Sequence, residues 1–241
     1  MDALLQCKEL TKKFGGLTAV NNLTFTLDKN EVLGIIGPNG AGKTTVINLI
    51  SGMYAPTSGA IFFDGRRIDG LPSNIIAKLG VARTFQIPRP FKNLTVFQNL
   101  LVAAINAGGL SGISAEKEVE NVLNTVGLID KKNLPAGSLT LAELRRLEIG
   151  RALSIKPKLL LADETAAGSR ENEIKELLSL FEMLKERGLS IILVEHVMAF
   201  LMNVAEKVIV MNVGEKLAEG TPEEISRNSK VIEVYLGKRG A

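Results

Sequence analysis

The chain has 241 residues, 46% of them hydrophobic and 23% charged, enough for one large soluble α/β domain or two small ones. A net charge of +3 and an aromatic content of 5% without tryptophan argue against a nucleic-acid surface, and the single cysteine, Cys7, excludes an intrachain disulfide framework and fits a reducing compartment. "MDALLQCKEL" has no signal-peptide pattern, and the greasy stretch from Leu94 to Leu110, broken by Gln98, Asn99 and Asn106, is short of the roughly 18 apolar residues of a membrane span, so a cytoplasmic chain is expected.

Residues 1–30 read as short strands with turns at "GG" and "NN". "EVLGIIG" is a buried strand that runs into a glycine-rich loop and then an apolar helix from about Thr44 to Ile50. "SGAIFFDGRRI" predicts a strand with an Asp64-Gly65 turn, and a short strand precedes Gln86. From about Pro88 to Leu153 the pattern is mostly helical, punctuated by Pro88, Pro90 and "AGGLSG". Strand signals return as "LLLAD", "SIILVE" and "KVIVMN", with helical stretches between them. Over 171–187, Ile174, Leu177, Leu178, Phe181 and Leu184 share one helix face that Gly188 ends, and Thr221 caps a further helix with Pro222 at its first position. Apolar strands alternating with amphipathic helices imply a parallel sheet covered on both faces.

"GPNGAGKTT" carries the first chemistry. Gly37, Pro38, Asn39, Gly40, Ala41, Gly42, Lys43, Thr44 and Thr45 match G-x-x-x-x-G-K-[ST] between a predicted strand and a predicted helix, the context a phosphate-binding P-loop needs. The glycines let successive N–H groups turn toward phosphate oxygens, and the helix N-terminus adds positive potential. Lys43 would reach the β- and γ-phosphates and the Thr44 hydroxyl would help hold Mg²⁺. The spacing points to a nucleoside triphosphate site.

"LLLADE" supplies the second half. Asp163, at the end of an apolar strand, is expected in the Mg²⁺ shell, and Glu164 is placed to orient and deprotonate a water. His196, the only histidine, follows the strand "SIILVE". Alone it reads as a structural residue; at the same sheet edge it could hydrogen-bond a γ-phosphate. Gln86 could contact Mg²⁺ or the lytic water. Arg145 and Arg146 read as a solvated helix face, "KRGA" as a charged tail and Cys7 as packing.

With these pieces in order, nearly the whole chain resembles the ATP-binding subunit of ABC transporters, and "FGGLTAVNN", "GVARTFQ", "NLTVFQNLLVA" and "RRLEIGRAL" most resemble the larger ATPase subunit of branched-chain amino acid importers. The resemblance implies an α/β P-loop NTPase with a RecA-like core, an antiparallel β subdomain and a helical subdomain. It implies one domain over 1–241, with 1–87 and 156–241 as nucleotide-binding core and 88–155 as the helical part that touches the membrane partner. It also implies an ATPase that takes ATP and Mg²⁺, with Glu164, His196 and Gln86 in catalysis and Thr44, Gln86 and Asp163 at the metal. Phe14, which alone reads as core, falls where the family sets an aromatic against adenine. Implied partners are a second ATPase subunit, identical or not, met head-to-tail, and transmembrane permeases, with the chain peripheral on the inner face of the cell membrane.

The sequence also departs from that family. Its signature is L-S-x-G-[EQ]-Q in the similar importers, whereas this chain has "LTLAEL": Thr140 keeps a hydroxyl, Ala142 replaces a glycine and Leu144 a glutamine. After the acid pair, Thr165 replaces a proline, and Ser169 and Arg170 stand where leucine and Asn or Asp are usual; Val197 stands where aspartate is usual. The resemblance assigns Thr140 and Ala142 to the partner's nucleotide. The expectation is an asymmetric pair: this P-loop hydrolyses ATP, and the reciprocal site, completed by Ala142, is weaker. A soluble ABC-type ATPase outside transport and a weakly hydrolysing regulatory subunit remain alternatives at this point.

Overall fold

A computed structural model describes residues 3–236, so the "KRGA" tail lies outside the described residues. The chain begins with two long antiparallel strands, β1 (Leu5–Phe14) and β2 (Leu17–Leu27), joined at Gly15-Gly16. The Asn pair is not a turn. Asn21 and Asn22 lie within β2 as a bulge, where the register passes from Leu10↔Leu23 to Lys12↔Val20. Asn22, at φ 50, absorbs the extra residue, and its N–H donates to the Thr11 hydroxyl at 3.0 Å. The segment is therefore two strands of 10 and 11 residues rather than several short ones.

β3 (Val32–Ile36) leads through the glycine loop to α1 (Lys43–Ile50). β4 (Ser58–Phe63) and β5 (Arg66–Arg67) form the hairpin expected at Asp64-Gly65, where both turn residues have positive φ. α2 (Ser73–Lys78) and the short β6 (Val81–Arg83) follow. Residues 84–95 are irregular, so the helical region starts at α3 (Val96–Asn106) rather than near Pro88. The Asn99 that breaks the apolar pattern is fully buried, and its side-chain amide binds the backbone N–H and C=O of Phe91 at 2.9 and 3.1 Å. It pins the loop that follows Gln86.

α4 (Gly112–Thr125) and α5 (Leu141–Leu153) complete this stretch. Then β7 (Leu159–Asp163), α6 (Glu171–Glu186), β8 (Ser190–Val194), α7 (Met198–Val204) and β9 (Lys207–Asn212) alternate, and β10 (Glu215–Gly220), α8 (Pro222–Arg227) and α9 (Ser229–Leu236) follow. α6 buries Leu177, Leu180, Phe181 and Leu184, with Ile174 and Leu178 at the margin. Gly188, at φ +78, ends it in a Schellman turn in which the Leu189 N–H reaches Leu184 O at 3.1 Å.

Two sheets result, a four-stranded antiparallel one in the order β2-β1-β4-β5 and a six-stranded one in the order β10-β9-β3-β8-β7-β6. In the larger sheet β9, β3, β8, β7 and β6 run parallel, and β10 is an antiparallel edge. Alternate residues of the parallel strands enter two cores. Val32, Leu160, Ile191 and Val208 face the core that also holds α3, α5, α6 and α7. Leu33, Leu161, Ile192 and Ile209 face the antiparallel sheet and α1. With both faces covered, the strands read as continuous apolar runs. Cys7 is buried in the second core, where desolvation pushes its thiol pKa far up. Among the described residues no helix is long and apolar enough to cross a membrane.

Candidate functional site

β3, β8 and β7 are neighbours that run the same way, so their carboxyl ends share one edge. The glycine loop leaves β3 there, Asp163 ends β7 with Glu164 next, and Glu195 and His196 follow β8. A depression of about 430 Å³ opens at this edge. It is lined by Phe14, the loop from Asn39 to Thr45, Glu164 and His196, together with Leu17 and Val213.

The loop geometry depends on two glycines. A Cβ on Gly37 would stand 2.2 Å from Met211 O, and one on Gly42, at φ +101, would stand 2.3 Å from Ala19 O. Gly42 is also the N-cap of α1, so the first helical N–H groups open into the depression without a side chain in front of them. Lys43 is 5% exposed, and its Nζ donates to Gly37 O at 2.8 Å and Pro38 O at 3.1 Å. Burial lowers its pKa, while Glu164 and Asp163 pull the other way. An anion in the depression would find this ammonium held in place.

The acids differ in environment. Asp163 is 3% exposed and takes one bond from Arg83 Nη2 at 3.3 Å through Oδ2. Its Oδ1 is buried without a hydrogen-bond partner. Burial raises the Asp163 pKa, Arg83 pulls it down and Glu164 adds repulsion. Glu164 sits at φ 53, a backbone region that non-glycine residues seldom occupy. One of its oxygens accepts from Gln86 Nε2, and the other lies 3.0 Å from His196 Nε2. Two residues from separate loops therefore meet on the Glu164 carboxylate.

The unpartnered buried Oδ1 of Asp163 and the hydroxyl of Thr44, which lines the depression, are oxygen donors of the kind a hard divalent cation takes. Among the described residues no group of three or more His, Cys, Asp or Glu side chains could hold a metal by itself. Such a cation would have to share its shell with phosphate oxygens.

Phe14 is not core. Its ring is 42% exposed, stands edge-on to Tyr54 at 5.2 Å between centroids, and has Lys12 Nζ 5.1 Å above it. Thr140 and Ala142 lie away from the depression. Thr140 is the N-cap of α5 in a capping box with Glu143, and Ala142 lines a separate cavity of about 320 Å³ between α5 and α6.

Arg83 and Glu195 have no role in the sequence reading, and the structure changes that of Arg145. Arg83 neutralises Asp163 and also donates to Asn48 Oδ1 at 2.5 Å and Ser51 Oγ at 3.3 Å. Glu195, 1% exposed, accepts from Ala166 N–H at 2.7 Å and the Thr165 hydroxyl at 3.1 Å through Oε1, and from His196 N–H at 3.3 Å through Oε2. It ties the loop after Glu164 to the loop that bears His196, and Thr165, in place of proline, supplies one of the ties. Arg145 is not on a solvated face: its guanidinium reaches Ser169 Oγ at 2.9 Å and Ala167 O. Arg146 instead pairs with Glu176 at 3.4 Å. The only sequence signal for any of them is a charged residue beside a buried strand or a helix start.

The ABC transporter family matches residues 20–167, and a second family, branched-chain amino acid ATP-binding cassette transporter, matches 215–241. The chain is 41% identical to the high-affinity branched-chain amino acid transport ATP-binding protein BraF of Pseudomonas aeruginosa, over 98% of both chains. It is 41% identical to LivG of Escherichia coli K12, described in the same words, again over 98% of both. Among solved structures, a nucleotide-free ATP-binding cassette from an ABC transporter superposes with a TM-score of 0.90 at 29% identity, covering 98% of this chain and all of that one. The ADP conformation of such a cassette gives a TM-score of 0.90 at 28% identity, covering 99% and 100%.

Proposed function

The chain belongs to the ABC transporter ATP-binding family, an ATPase family, and from that premise we propose that it powers an importer of branched-chain or related amino acids. The observation that carries the catalytic part is the meeting of the P-loop, Glu164, His196 and Gln86 in one depression. The substrate class rests on the relatives' names over 98% of the chain.

In this reading the amides of residues 37–45 and Lys43 bind the phosphates, and Phe14 stacks on adenine beside Leu17 and Val213. Thr44, Asp163 and Gln86 would hold magnesium, which would supply charge neutralisation at the phosphates. Glu164 orients the attacking water and takes its proton. Each Glu164 oxygen has one partner, Gln86 or His196, and keeps a second acceptor site through which a water can bind. His196, freed, can turn to the γ-phosphate. Lys43 and the loop amides hold the charge that develops on the transferred group.

ABC ATP-binding subunits of importers dimerise and work with permeases. For this chain we place the permease contact at the groove of about 210 Å³ between Met53 on the core side and Arg151 and Ile155 on the helical side. Exposed Phe85 lines it and exposed Phe91 stacks on Arg151 at its wall, and residues 88–155 act as the helical subdomain. The second ATPase subunit packs head-to-tail, with Thr140 and Ala142 on its nucleotide. The whole assembly is peripheral on the cytoplasmic face of the membrane.

The test is MgATP hydrolysis and leucine uptake by vesicles that carry the chain with its permease and cassette partners. Leucine-dependent uptake that stops with Glu164→Gln supports the proposal. Hydrolysis without uptake of any branched-chain amino acid would remove the substrate class, and wild-type hydrolysis by Glu164→Gln would remove the catalytic assignment.

A further inference from the structure

Ser169, one of the places where this chain leaves the family pattern, is touched by Arg145, from a stretch that keeps the pattern. Arg145, on the first turns of α5, crosses to the loop that follows Glu164, where Nη1 donates to Ser169 Oγ at 2.9 Å and Nη2 to the carbonyl of Ala167. That loop is a compact turn hung on Glu164 itself. The Ala167 N–H donates to Glu164 O at 3.3 Å, the Ser169 N–H to Ala166 O at 3.1 Å, and Gly168 takes φ +67. The Glu164 N–H is fixed in turn to Val194 O at 2.8 Å. The guanidinium therefore grips the far side of the turn whose near side carries the carboxylate. A leucine at 169 would offer no acceptor, so one arm of this grip exists only because serine stands there.

The grip has a rigid base. The α5 N-terminus is closed by the Thr140–Glu143 capping box, and Glu143 is itself paired with Lys131. The planar fork of arginine meets two acceptors at once, which a lysine cannot do with one nitrogen in the same geometry.

We infer that Arg145 is a positioning residue that couples the N-terminus of α5 to the turn holding Glu164, and so links the face this chain offers a partner's nucleotide to hydrolysis of its own. The inference rests on the reading of Glu164 and Thr140 given above. A shift of α5 when the partner's nucleotide binds is carried by the guanidinium to Ala167 and Ser169, and through the turn to the carboxylate. ATP binding to the P-loop does not pass through this contact.

The test uses the full chain with three variants, Arg145→Ala, Arg145→Lys and Ser169→Ala, beside Glu164→Gln as control. Hydrogen exchange of 164–170 reads the tether without reference to activity. Arg145→Ala should speed exchange at Ala167 and Ser169 at least tenfold and leave α6 unchanged. In the assembled transporter it should lower kcat about tenfold while the ATP Kd of the chain changes less than twofold, with the lysine variant in between. Adding Ser169→Ala to Arg145→Ala should cost little more, because Arg145→Ala already removes the contact to Ser169. Unchanged exchange, or unchanged kcat with a responsive Glu164→Gln control, overturns the proposal, as do fully additive effects. If Glu164→Gln itself hydrolyses at the parent rate, the catalytic reading has failed, and the exchange data still decide whether the tether exists.

Discussion

Glu164 and His196 face each other at 3.0 Å, Oε1 to Nε2, from the ends of neighbouring parallel strands, with Gln86 on the other carboxylate oxygen. The pair is 32 residues apart in sequence and meets because β7 and β8 are adjacent. His196→Ala should lower kcat about 10²-fold or more, within the range for loss of a positioned proton-handling group. ATP affinity should change only a few-fold, since Lys43 and the loop amides remain. Steady-state hydrolysis with nucleotide titration checks both, and a loss of affinity that accounts for the whole effect would contradict the assignment.

Arg83 bears on stability. It is the cation at the 3%-exposed Asp163 side chain, so Arg83→Met leaves a buried carboxylate without its partner. Breaking a buried pair costs about 3–5 kcal/mol, which in a chain of this size lowers Tm by roughly 6–20 °C. Calorimetry reads the shift. MgATP should recover more of it than ATP with chelator, because a divalent cation can stand in for the missing charge.

Glu195 sets a pH dependence. Burial raises its pKa above the ordinary carboxylate value, and the bonds from Ala166, Thr165 and His196 offset only part of that. A folded value above the unfolded one means that its contribution to stability is fully present below the unfolded pKa, about 4.3, and is lost as pH rises through the folded pKa. Glu195→Gln does not titrate. The stability of the variant relative to the parent should therefore increase from pH 4.5 to pH 8, as read from urea midpoints. A difference that does not change with pH would show that the carboxyl is not perturbed by burial.

Ala142 and Leu144 test asymmetry. A backbone N–H near a γ-phosphate is hindered by a Cβ at 142, and loss of one preorganised donor costs about 10²–10³ in rate in other enzymes. Ala142→Gly with Leu144→Gln, made in the assembled complex, should raise turnover several-fold. Equal turnover would mean that the alanine is accommodated and both sites are equivalent.

The sequence alone determined the elements whose cause is local. The P-loop is legible because glycine spacing, a lysine and a hydroxyl residue act within nine consecutive positions, and the hairpin at Asp64-Gly65 because two residues set its turn. Continuous apolar runs at 159–163 and 190–194 marked sandwiched strands for the same reason. The bulge at Asn22 was not legible, since asparagine tolerates positive φ in a turn and in a bulge alike and only the facing strand tells them apart. Arg83, Glu195 and Arg145 were not legible either. Their partners lie 80, 29 and 24 residues away, at Asp163, Ala166 and Ser169. A charged side chain becomes a tether or a counter-ion only when packing brings an acceptor to it and removes the water, and that was decided by the strand order of the sheet and the seating of α5 against the loop after β7.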